Sequence, residues 1–140
     1  MIPVCPKCDV GLFILNFNAI EVDYCERCRG VWLDAGELEQ LMTTTGANPN
    51  DPLLQFQKQP GVVPRGATHL CPRCDRRLHE ITVASPHGGL PLTLDRCPHS
   101  HGLWFDADEL QRLLAMFPPG SGAGKTIHHL NELFGAAPKT

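Results

Sequence analysis

The chain has 140 residues, 42% of them hydrophobic, and a formal net charge of −3. That mildly acidic balance does not favour non-specific nucleic-acid binding, which rests on phosphate neutralisation, and no apolar stretch is long enough to span a membrane. Seven cysteines, an odd number, argue against a complete set of intrachain disulfides. Without a basic start and an apolar run of signal-peptide length, a reducing cytoplasmic setting is expected. There, Cys-x-x-Cys pairs act as metal ligands or redox centres.

A repeat organises the chain. Residues 25–38 and 97–110 both run from a cysteine through Gly and Trp to Asp-x-x-Glu-Leu, at a constant offset of 72. Each is preceded by Cys-Pro-x-Cys. The repeat predicts two units, residues 1–46 and 69–117, joined by a linker over 47–68 and followed by a tail over 118–140. Each unit, at about 45 residues, is near the size at which an apolar core alone is inadequate and a staple is needed.

The first unit opens on Cys5-Pro6-Lys7-Cys8, whose spacing lets two sulfurs face one ion. An apolar strand signal over 12–17, a turn with Asn16 and Asn18, and the alternating Ile20-Glu21-Val22-Asp23-Tyr24 predict a hairpin. The hairpin returns Cys25 and Cys28 to the first pair. Sixteen residues separate Cys8 from Cys25, which fits a zinc site of Cys5, Cys8, Cys25 and Cys28. A redox role would need a strand-helix-strand context instead. Gly30 is expected to allow a positive-φ turn, and Trp32 to pack on the hairpin beside the metal. Asp34-Ala35-Gly36-Glu37 reads as a capping box, opening a helix over 35–43 with Leu38, Leu41 and Met42 inward.

In the linker, Asp51-Pro52-Leu53-Leu54-Gln55-Phe56 predicts one or two helical turns, with Asp51 as cap and the apolar side chains docked on a repeat. Turn compositions flank it.

The second unit repeats the plan with Cys71-Pro72-Arg73-Cys74, a strand over 78–84, a turn through Ser85-Pro86-His87-Gly88-Gly89 and a return strand over 92–94. Twenty-two residues separate Cys74 from Cys97, the extra length falling at the hairpin tip. Cys28 aligns with Ser100, a poor zinc ligand, but histidines flank it. The expected site is Cys71, Cys74, Cys97 and His101, with His99 the alternative fourth donor. This assignment uses all seven thiols. Trp104 and a capping box from Asp106 to Glu109 precede a second helix to Phe117, with Leu110, Leu113, Leu114 and Phe117 as its apolar stripe. Arg73, Arg76, Arg77 and Arg96 crowd this unit. They are read as partners of the anionic zinc-thiolate cluster, with phosphate contact as the alternative.

In the tail, residues 119–126 suggest a phosphate loop but carry Pro119 where the first Gly is required and follow a helix rather than a strand. No nucleotide binding is expected. A linker, a cap at Thr126 and a short amphipathic helix with Ile127, Leu130, Leu133 and Phe134 on one face are expected instead, with His128 and His129 facing solvent.

Together, Cys-Pro-x-Cys, the return strand and Cys-x-x-Cys-x-Gly-x-Trp-Leu-Asp-x-Gly-Glu-Leu resemble the transcription factor IIB type zinc-ribbon family. The second unit looks like a divergent copy, departing at Ser100 and at Asp108. The resemblance implies zinc binding by the seven cysteines. The expected fold is small α+β and zinc-stabilised, two tandem ribbons each made of knuckle, hairpin, knuckle and helix. The two Zn2+ ions are expected to be structural and the chain not an enzyme, because closed four-coordinate sites leave no place for substrate. A protein-interaction adaptor or regulator is the expected role, with a nucleic-acid-binding or transcription-associated module as the alternative. The adaptor role is motivated by net acidity, the duplicated rigid ribbons and spare apolar segments over 53–56 and 127–134, and the alternative by the ribbon resemblance and the Arg73, Arg76, Arg77 and Arg96 cluster.

Overall fold

Short runs of β-branched and aromatic residues between cysteine turns set the architecture. The computed structural model describes residues 2–17, 20–44, 46, 48–66, 69–86, 88–117 and 122–134. Asn18, His87 and residues 119–121 of the expected turns lie outside these. So do the side chains of Phe17, His129, Leu133 and Phe134.

Strands β1 (Phe13–Phe17) and β2 (Ile20–Tyr24) form the first hairpin, with Phe13 opposite Tyr24 and Phe17 opposite Ile20. Strands β4 (His79–Val83) and β5 (Leu92–Arg96) form the second, with His79 opposite Arg96. Each ribbon adds a third strand that the sequence reading lacked, β3 (Val31–Asp34) and β6 (Gly102–Phe105). These two strands pair with each other, antiparallel, with Trp32 opposite Trp104. The result is one six-stranded sheet in the order β1-β2-β3-β6-β5-β4, with the two ribbons meeting edge to edge at its centre.

Strand alternation separates two faces. Val31, Leu33, Leu103 and Phe105 join the larger core together with Leu38, Leu41 and Met42 of α1 (Glu37–Thr44) and Leu110, Leu113 and Leu114 of α2 (Glu109–Leu114). Helix α2 is shorter than expected: Met116 and Phe117 donate to carbonyls three residues back, in 3₁₀-type turns. Helix α3 (Ala123–Phe134) begins three residues before Thr126, which is fully buried inside it rather than capping it. Buried Ala123 and Leu130, with Ile127 beside them, seat α3 on both α1 and α2.

The linker folds as a 3₁₀ helix (Pro52–Lys58), capped by the Asp51 carboxylate accepting from the Leu53 amide at 2.9 Å. Leu54 and Phe56 are buried in the larger core. Arg96 fixes the linker by donating to the Gln57 carbonyl at 2.9 Å and the Gln59 carbonyl at 2.5 Å. Both segments read as spare are therefore used internally, and Arg96 faces the linker rather than the thiolates. Among the described residues, no helix is long and apolar enough to cross a membrane.

Candidate metal centres

The opposite face of the sheet carries the sites. Cys5, Leu12, Cys25, Trp32, Cys71, Leu78, Cys97 and Trp104 form one buried cluster there. Both knuckles of each ribbon are tight turns with a left-handed residue just after them or at their end: Asp9, Arg29, Asp75 and Ser100 have φ between 58° and 63°. Contrary to the expectation of a positive-φ turn at Gly30, the left-handed residue is the preceding Arg29.

Gly30 is glycine for a different reason. A Cβ there would lie 2.1 Å from Cζ2 of Trp104, in the other ribbon. At Gly102 a Cβ would lie 2.2 Å from the Leu33 carbonyl oxygen and 2.8 Å from Cζ2 of Trp32. Each indole thus crosses the other ribbon's glycine.

The donors converge as the spacing predicts. The Sγ atoms of Cys5, Cys8, Cys25 and Cys28 lie within 4.8 Å of one another, as do those of Cys71, Cys74 and Cys97 with a ring nitrogen of His101. Nδ1 of His101 is 3.3 Å from Sγ of Cys97. His99 is absent from that cluster; its backbone amide donates to Sγ of Cys97 at 3.3 Å instead. The amides of Cys8, Cys28 and Arg73 likewise donate to Cys5, Cys25 and Cys71 at 3.3–3.4 Å.

Electrostatics argue for a cation in each cluster. Burial pushes the Cys5 thiol up to about 11 and the Cys71 thiol up to about 12, and drives Cys28 upward as well. Burial also opposes ionisation of Cys25 and Cys74, but backbone amides and neighbouring thiols outweigh it and hold both down. Crowded donors among which the Cys5, Cys28 and Cys71 thiols resist ionising unaided are the chemistry Zn2+ satisfies, since it deprotonates its thiol ligands. The residues fit the ion: the two clusters suit two structural zinc ions.

A ring of polar contacts braces the two centres across the ribbon boundary. Trp32 donates its indole N–H to Asp34 at 2.8 Å, and Trp104 does so to Asp106 at 3.1 Å. Arg73, the variable residue of the second knuckle motif, grips Asp34 of the first ribbon with two hydrogen bonds of 2.8 Å and also pairs with Asp23. Its counterpart Lys7 reaches the other way to Asp106 at 2.5 Å. These contacts replace half of the expected capping box. Glu37 accepts from the Asp34 amide at 2.6 Å and Glu109 from the Asp106 amide at 2.7 Å, as expected. The aspartates cap the indoles and cations rather than the helix amides. Burial would raise the Asp34 carboxyl, but Arg73 and Trp32 outweigh it and lower it; at Asp23 burial outweighs Arg73 and raises it.

Burial lifts the carboxyls of Glu37 and Glu109 to about 7, helped by Asp34 and Asp106 respectively. In the unfolded chain a glutamate titrates near 4.3. A raised folded value means the native state holds the proton more tightly, so this stabilisation is complete below the unfolded value and fades as pH rises through about 7. Glu37→Gln with Glu109→Gln keeps the accepting oxygen and removes the titration. Urea midpoints of the zinc-loaded proteins should therefore diverge from pH 6 to pH 8, with the variant gaining on wild type. Parallel midpoints would refute the shift. Zinc-ligand ionisation is common to both proteins and cancels in the difference.

A small α+β chain with paired knuckles, hairpins and four-donor clusters defines a duplicated zinc ribbon. The family model described as transcription factor zinc-finger, of the transcription factor IIB ribbon type, matches residues 4–44 and 70–116, and the chain belongs to that family. Comparison with curated proteins and with solved structures gave no significant match.

Proposed function

We propose that the chain is a non-catalytic zinc-binding module acting as a protein-interaction adaptor. The observation that carries this reading is the cleft between the two first knuckles, about 640 Å3, lined by Pro3, Val4 and Pro6 on one side and Leu70 and Pro72 on the other. Val4 is 39% exposed, Leu70 42% and neighbouring Ile2 72%. The lining is mixed, with Lys7, Asp9, Arg73 and Asp75 beside the apolar residues, and because it is held between two metal-anchored turns it is preformed, so a protein partner orders little on binding it. The cations at its rim, Lys7 and Arg73, are already paired with Asp106 and Asp34, which leaves them poorly placed for phosphate. Four protein donors at each cluster leave a tetrahedral ion no position for water or substrate, which supports the absence of catalysis. The reading sets the chain in the cytoplasm, where reduced thiols can hold zinc.

A nucleic-acid or transcription-associated role is the second reading. It rests on the family's description and on Arg76 and Arg77, exposed beside the second site.

Affinity capture on the zinc-loaded chain tests both. On the adaptor reading, Val4→Asp with Leu70→Asp retains its zinc and holds the captured protein roughly tenfold more weakly, a loss of about 1.4 kcal/mol. No loss would refute the cleft. Low-salt binding of DNA or RNA that disappears in Arg76→Ala with Arg77→Ala would favour the second reading.

A further inference from the structure

The two outer strands of the sheet, β1 and β4, occupy equivalent registers. Phe13, Ile14 and Leu15 stand opposite Tyr24, Asp23 and Val22, as His79, Glu80 and Ile81 stand opposite Arg96, Asp95 and Leu94. The β4 edge is covered by the linker. Val62 and Glu80 exchange amide-to-carbonyl bonds of 2.8 and 2.7 Å, and Gln59 donates its side chain to the Thr82 carbonyl. Strand β1 has the same hydrogen-bonding phase. The amide of Leu12 donates outward, to Pro3, at 2.8 Å, so alternation turns the backbone groups of Ile14 and Asn16 outward as well. Among the described residues no bridge covers them.

The chemistry of the two edges is the reverse of protective. The covered edge presents His79 and Glu80. The open one presents Phe13 and Ile14, 56% and 59% exposed, and no charge from residue 13 to residue 17. Open edges are ordinarily guarded by charge, proline or a bulge; this one has none. It continues into a mainly apolar hollow of about 580 Å3 beside Val10, Leu12 and Phe13, with Glu26 and Arg27 also on its wall.

The strand is also self-complementary. Phe13, Leu15 and Phe17 alternate symmetrically about Leu15. A two-fold antiparallel pairing centred there sets Leu15 opposite its own copy, Phe13 opposite Phe17 and Ile14 opposite Asn16. The outward amides and carbonyls of Ile14 and Asn16 then satisfy one another. We propose that β1 is a self-association edge, through which a second copy of the chain joins and doubles the six-stranded sheet. The pairing strand lies outside the cleft between the knuckles, although Ile2 lines both that cleft and the adjoining hollow, and the proposal stands whether or not the adaptor reading does.

Sedimentation equilibrium of the zinc-loaded full chain tests it, loaded from about 10 µM to about 500 µM to bracket the weak affinity of a small interface. The mass should climb from 15.4 kDa toward twice that value. Ile14→Pro removes an outward amide that the monomer does not use, and Phe13→Lys sets a charge opposite Phe17. Both should stay at 15.4 kDa with unchanged circular dichroism and zinc content. If Ile14→Pro does not fold, Phe13→Lys decides. Val4→Asp with Leu70→Asp should dimerise as wild type does. A wild-type mass of 15.4 kDa throughout the range, or a dimer that survives the β1 variants, would overturn the proposal.

Discussion

Stripping both zinc ions should unfold the entire chain in a single step. Structural zinc contributes an apparent 10–16 kcal/mol or so per site near neutral pH, whereas a domain's whole stability is about 5–15 kcal/mol. The smaller core has little besides the thiols, two indoles and Leu12 and Leu78 to hold it without metal. Sequence reasoning alone would confine the damage of Cys28→Ser largely to the first ribbon. The pairing of β3 with β6, the common larger core and the seat of α3 on both α1 and α2 change that expectation. Cys28→Ser should also weaken the second site, because freeing β3 exposes the edge of β6. Chelator titration followed by circular dichroism, with a zinc indicator counting ions released, checks both statements. Two separated transitions, or a Cys28→Ser protein whose second ion is held as tightly as in wild type, would show that the halves are independent.

Alanine at either crossing glycine should also be damaging, though less so than loss of the metal. Gly30→Ala drives a methyl to 2.1 Å from the Trp104 ring, and Gly102→Ala to 2.2 Å from a backbone oxygen. Neither neighbour can step aside: the Trp104 indole is fully buried and hydrogen-bonded to Asp106, and the Leu33 carbonyl belongs to β3, which is paired to β6. Overpacking of this kind costs about 3 kcal/mol at each position. Gly124→Ala, in α3 with nothing within 4 Å of the new methyl, should be neutral or slightly stabilising. Denaturant unfolding of the zinc-loaded variants measures the contrast. Equal midpoints for Gly30→Ala and Gly124→Ala would mean that the indole does not lie where it is placed.

The parts of this fold written in local spacing were legible beforehand. Cys-x-x-Cys pairs separated by a hairpin specify their own convergence, and His101, four residues from Cys97, sits where a knuckle can bring it to the thiols. Helices α1 and α2 were readable from their leucines, and the docking of Leu54 and Phe56 from their company of turn residues. What could not be read was anything exchanged between repeats. Val31–Asp34 looks like a mere exit from the knuckle until its partner Gly102–Phe105, distant in sequence, is set beside it. Arg73 was assigned by proximity to the nearest thiolates, yet the carboxylate it grips lies 39 residues back in the sequence. Gly30 was read for the freedom of its own backbone, whereas a ring from the other ribbon fixes its identity. A signal was present in retrospect: Gly, then Trp two residues on, then Asp two further, recurs in both copies, and repeated small-then-large pairs are what mutual crossing requires.

The crossed glycines and indoles also constrain how the two copies can drift apart. Residues that meet over the central axis are answerable to one another, so a change at Gly30 or Lys7 is judged by Trp104 or Asp106 and has to be matched there. Where the copies differ on the axis the differing residues face one another, Val31 against Phe105 and Leu33 against Leu103, whereas Ser100 for Cys28 and Asp108 for Gly36 are exposed positions with left-handed backbone.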